Sequence, residues 1–127
     1  MTTNETSSQV RAAQQLEGVV RTFADETREI VKPSDGADLL QSLSSVQSTL
    51  SELYTALALW HGNAVHGRHH AGDGEHGDPE NPSWRRASLA LEEATQYSRD
   101  AAAALDRAHI ADEVAVWFDE MRVDEGA

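Results

Sequence analysis

Five of the six histidines in this 127-residue chain fall within HGNAVHGRHHAGDGEHGDPENP, residues 61–82. Imidazole beside carboxylate is the donor set that zinc, nickel or copper takes. His66, His69, His70 and His76, with Asp73, Glu75 and Asp78 nearby, would supply three or four such ligands. Strong sites set two ligands on a rigid element, however, and here glycines at 62, 67, 72, 74 and 77 leave the chain pliant. Ordering such a segment around an ion costs conformational entropy. The expectation is a mobile, solvated connector. Zinc or nickel binding through His66, His69, His70 and His76 is the alternative, and otherwise no cofactor is expected.

Two further clusters carry chemistry-capable side chains. Asp106 and His109 stand at i and i+3 of one helical stretch, a spacing used by carboxylate-bridged di-iron bundles. Only one such motif is present and the inward seams of the other helices carry no carboxylates, so His109 reads as a helix-closing residue favoured by the dipole. Arg85 and Arg86 begin a helix, where the dipole opposes them, and are expected to pair with the acidic loop or the acidic tail. No nucleophile elbow, phosphate-binding glycine loop or zinc-protease helix occurs. No catalytic residue is assigned, and the reading leans away from an enzyme.

Composition narrows the classes. With no cysteine, disulfides, thiolate metal sites and cysteine nucleophiles are excluded. The net charge of −12 argues against direct contact with a nucleic-acid backbone. No run approaches the roughly 20 apolar residues of a membrane span. The polar N-terminus lacks the order of a signal peptide, which favours the cytoplasm, with signal-less secretion as the alternative. Arginine supplies nine of the ten basic residues, and alanine is abundant. That usage suggests GC-rich coding and hence a bacterial or phage origin.

The elements that must position these residues read as helices. Val10, Ala13, Leu16, Val20, Phe23, Thr27 and Ile30 step by three or four, giving one face of a helix that Lys32-Pro33 ends. Ser34 or Asp35 then caps a second helix. There Leu39, Leu43, Val46, Leu50, Leu53, Leu57 and Trp60 form an unbroken heptad-type seam. The opposite face, Gln41, Ser42, Ser44, Ser45, Gln47, Ser48 and Ser51, is polar yet uncharged, which suggests partial covering by another helix or subunit. Ser83 is the expected N-cap of a third helix whose seam runs through Trp84, Ala87, Leu91, Ala94, Ser98, Ala101, Leu105 and Ala108. The phase breaks at His109, so a kink near 109–112 and a short C-terminal helix or extension are predicted. The result is an all-α fold: one domain over 1–127, an up-down-up bundle of three long helices with a His/Gly/Asp-rich loop over 61–82. Residues 1–8 and 123–127 are expected to fray.

Trp60-His61-Gly62, at the junction of a long helix with a loop, resembles the Trp-x-Gly element of the WXG helical-hairpin proteins exported by type VII secretion systems. That resemblance implies a small acidic helical protein without a cleaved signal, acting as a dimer. Three features depart from the family pattern. Some 20 residues precede Trp84 where the family has a tight turn, a helix precedes the hairpin, and Tyr97 is followed four residues on by Ala101 instead of an acidic residue. The expected function is non-catalytic: binding of a protein partner, or self-association into a homo-oligomer. A WXG-like secreted protein, a divalent-metal binder and an acidic regulator of a basic partner are the alternatives.

Overall fold

A computed structural model describes residues 6–29 and 32–119. Among these residues the regular structure is helical, in the order α1 (Ser8–Glu26), a 3-10 turn at Pro33–Asp35, α2 (Gly36–Gly62) and α3 (Ser83–Val114). The chain divides into two compact units. The hairpin of α2 and α3 lies within Ser34–Trp117, and α1 belongs to the other unit.

α1 begins where the Ser7 hydroxyl accepts from the Val10 amide at 3.2 Å, the usual N-cap bond. It ends at Glu26, ahead of the predicted stop at Pro33. There the Thr27 hydroxyl donates to the Phe23 carbonyl at 2.6 Å, and the Thr27 amide turns to the Phe23 and Ala24 carbonyls. The apolar stripe is exposed at Val10, Leu16 and Val20 and half-buried at Phe23; its last expected member, Ile30, lies outside the described residues.

α2 and α3 run antiparallel and pack on each other, each about 40–48 Å long at 1.5 Å per residue. No leucine is fully buried in their contact, though Leu39, Leu43, Leu50, Leu91 and Leu105 are half-buried. The buried residues are Ser44, Ser51 and Ala58 on α2 and Thr95, Ser98 and Ala102 on α3. None is larger than threonine. Ala37, Ser44, Ser51 and Ala58 recur every seven residues, as do Ser88, Thr95, Ala102 and His109, and these two rows face each other.

Polar bonds mark the register from end to end. His109 Nδ1 lies 2.8 Å from the Ala37 carbonyl, and the Ser44 hydroxyl reaches Asp106 Oδ1 at 2.5 Å and the Ala102 carbonyl at 3.1 Å. Near the loop, Thr55 and Thr95 hydroxyls stand 3.4 Å apart and Ser88 donates to the Ala58 carbonyl at 2.8 Å. Small residues at heptad spacing let two backbones approach closely, and their hydroxyls then find carbonyls across the gap. Of the uncharged face of α2, Ser44 and Ser51 are covered by α3 and Gln47 is half-buried, while Gln41, Ser42, Ser45 and Ser48 stay exposed.

Several helix ends differ from expectation. α3 continues through 109–112 without interruption to Val114, because His109 and Asp106 bond inward to α2 instead of closing the helix. Ala115 is extended and residues 115–119 form no helix, so the C-terminal extension takes the place of a fourth helix among the described residues. Asp35 precedes α2 but makes no side-chain cap bond. Gly62 is the last residue of α2 and is absent from the positive-φ glycines. Its missing side chain serves packing: a Cβ there would stand 3.1 Å from Ser88 Oγ.

Candidate functional site

The loop over 63–82 is built around its histidines. After α2 ends, the Val65 carbonyl accepts from the His69 and Arg68 amides at 2.8 and 3.1 Å, and the Gly67 amide donates to the His70 carbonyl at 2.7 Å. This turn requires Gly67 at φ +82. The ring of His69 folds back, and its Nδ1 accepts from the Val65 amide at 2.8 Å. One residue on, His70 Nδ1 accepts from the Gly72 amide at 3.0 Å, with Gly72 at φ +84. An imidazole whose Nδ1 accepts carries its proton on Nε2. The buried His70 Nε2 has no hydrogen-bond partner.

Aromatic contacts seat these rings on the helix ends. His69 meets Trp60 of α2 edge-on at 6.1 Å, His70 lies 6.3 Å from Trp84 of α3, and His66 meets His70 edge-on at 5.7 Å. His61 also meets Trp60 edge-on, at 5.0 Å, with its Nδ1 on the Leu57 carbonyl at 2.7 Å. His76 is exposed.

Asp73 ties the loop to α3. Its carboxylate accepts from the Ser83 amide at 2.7 Å and from the Ser83 hydroxyl. The sequence reading placed the cap at Ser83 itself. In the fold Ser83 is the first helical residue after Pro82, and the capping carboxylate arrives from ten residues upstream. The hydrogen bond from the Ser83 hydroxyl, then that from its amide, hold the Asp73 carboxyl below the ordinary aspartate value. Burial works against these bonds more weakly, and the positive charge of Arg86 adds a still smaller lowering effect. Arg86 acts on Asp73 through its charge, but no ion pair joins the two. Capping by Asp73 lacked a sequence signal, since the residue lies far from the helix that it serves.

The geometry constrains what the loop can do. Among the described residues no three His, Asp or Glu side chains converge as a metal-ligand group. His66 and His70 are brought together, whereas His69 is drawn to Trp60. A metal-bound imidazole normally donates through its second nitrogen. His69 and His70 already accept there from backbone amides, so binding through Nε2 would break both bonds. Nor is Ser83 arranged as a nucleophile, because its proton goes straight to a carboxylate with no imidazole between them.

A second surface stands out on α2. Leu43, Leu50 and Leu57 each precede a buried seam residue by one position, about 100° around the helix. They and their neighbours are therefore turned to the flank of the hairpin. Val46 (42%), Leu53 (48%), Leu57 (40%) and Trp60 (55%) remain exposed. No helix among the described residues is long and apolar enough to cross a membrane. In comparisons with family models, with curated proteins and with solved structures, nothing matches this chain.

Proposed function

We propose that this chain is a non-catalytic interaction protein that self-associates through the leucine stripe of α2. The observation that carries this reading is the size of what the hairpin buries. Among the described residues, Ala58 and Ala102 are the buried hydrophobic residues, and no large side chain is fully enclosed. Among the described residues many of the larger apolar side chains, Val46, Leu53, Leu57 and Trp60 among them, are left at the surface, where water opposes them. An unbroken heptad stripe of leucines is a surface suited to another helix of the same kind.

Charge favours a second copy as the occupant. A chain of net charge −12 repels itself over most of its surface, but residues 34–61 carry only Asp35, Asp38 and Glu52. A two-fold pairing of α2 against α2 brings together the faces with least charge. Sedimentation analysis of the full chain tests this. A concentration-dependent dimer is expected, dissociated by Leu53→Glu with Leu57→Glu while the helix content of the circular dichroism spectrum persists. A monomer across the micromolar to millimolar range refutes the reading and leaves the stripe to other segments of the chain.

The position of Trp60-His61-Gly62 at the end of the first helix of a hairpin favours a second reading, a WXG-like hairpin exported without a cleaved signal. Its test is appearance in the culture medium that stops when the type VII secretion machinery of the producing cell is deleted.

A further inference from the structure

We propose that the loop over 63–82 is an acid-opened clasp, held shut by the lone pairs of two neutral imidazoles. Two backbone amides, those of Val65 and Gly72, donate to Nδ1 of His69 and of His70, at 2.8 and 3.0 Å. Protonation puts a hydrogen on each Nδ1. The acceptor is lost, and two N–H groups then point at each other across a hydrogen-bond distance, so each ring must turn away. Most protein histidines donate to carbonyls or carboxylates, and charge strengthens those bonds. In this pair the sign is reversed.

Two further observations push the same way. The closed clasp leaves the buried His70 Nε2–H without an acceptor, and a ring that turns is released to find one. His66 stands edge-on to His70 at 5.7 Å, so charging both rings adds repulsion inside the clasp. His70 faces His66 and lines one cleft with His61, His69 and Asp73, and Arg86 of α3 acts on Asp73 through its charge. Asp78 lines the same cleft as His66 and His70. His69 shares a cleft with His61 and Asp73. The Asp73 carboxylate restores neither amide bond, because it is taken up by Ser83. As the rings leave, Trp84 loses its imidazole neighbour and Trp60 keeps only His61, so the two helix ends become more exposed.

The test is a nitrogen-detected NMR titration of the full-length chain from about pH 8 to about pH 5, the span in which imidazoles change charge. Neutral His69 and His70 are expected to be protonated on Nε2, and the Val65 and Gly72 amide signals to move together with the ring titrations. Tryptophan emission is expected to shift over the same interval. In a chain carrying His69→Asn and His70→Asn, a side-chain oxygen near the place of Nδ1 accepts at every pH, and both amides should cease to respond. Neutral rings protonated on Nδ1 overturn the proposal, as do amides that stay still while the rings titrate. A double variant whose amides respond as in the parent also overturns it. The parent titration decides the matter alone if the variant does not fold.

Discussion

Replacing Ser51 with leucine and Leu53 with alanine separates two ways of holding the hairpin together. Ser51 is 6% exposed in the middle of the small-residue seam, with its hydroxyl on the Ser48 carbonyl at 2.6 Å. A leucine there must push the helices apart, and overpacking of this kind costs about 1–3 kcal/mol. The better helix propensity of leucine returns only a few tenths of a kcal/mol. Leu53 is 48% exposed. A buried Leu→Ala change costs about 2–5 kcal/mol, cavity included, but an exposed flank leaves no cavity and about half of the side-chain surface is already wet, so about 1 kcal/mol is at stake. Urea unfolding followed by circular dichroism, below the concentration at which the chain associates, measures both. The midpoint should fall further for Ser51→Leu, by about 1 M for a loss near 2 kcal/mol, with the slope unchanged. If Leu53→Ala proves the more damaging, the leucines hold the helices together and the heptad register of small residues is wrong.

The carboxyl of Asp73 is held below its ordinary value, so its stabilising effect is complete above the ordinary aspartate value of 3.8 and is lost as pH falls through the lowered one; a carbon-detected titration of Asp73 should show this, and Asp73→Ala should remove the protection of the Ser83 amide from hydrogen exchange. A Cβ on Gly77 would collide with the Asp73 side chain and crowd its Cα at 3.3 Å, so Gly77→Ala should expose the Ser83 amide as Asp73→Ala does while the far end of the hairpin stays protected. His109 is 16% exposed, with Nδ1 on the Ala37 carbonyl and Nε2 3.1 Å from Glu113, so His109→Ala should cost about 1–2 kcal/mol in urea unfolding and loosen first the end that joins Ala37 to Glu113.

The helices were legible because each carries a three/four hydrophobic period, and that of α2 is complete from Leu39 to Trp60. What the period did not reveal is which face meets which neighbour. Leucines were read as the seam because burial of large apolar groups usually dominates. Packing here follows a second heptad, Ala37, Ser44, Ser51 and Ala58, that hydrophobicity does not register because serine counts as polar. The sequence held a signal for it: an uncharged row of small residues repeating every seven, with a matching row from Ser88 to His109. In the loop, the grouping of histidines was visible but not their roles, since the direction of each hydrogen bond depends on backbone turns set by Gly67 and Gly72.

The two heptads of α2 explain each other. A helix has one circumference, and leucines placed between two helices would hold the backbones apart and bury themselves. Serine and alanine in that place bring α3 close enough for Ser44, Ser88 and His109 to bond across the seam, and this turns the leucines outward. Hydroxyl-to-carbonyl bonds specify register well but add only about 1 kcal/mol each to stability. The hairpin is thus well specified in geometry and weakly stabilised by its own burial. Covering the leucine stripe would supply the missing apolar burial, so stability and association should be coupled. For such a protein the melting temperature rises with protein concentration, by the mass-action term RT ln(1 + [L]/Kd). The Leu53→Glu, Leu57→Glu chain should show no such rise. A parent chain whose melting temperature is independent of concentration would instead mean that the small-residue seam suffices without a partner.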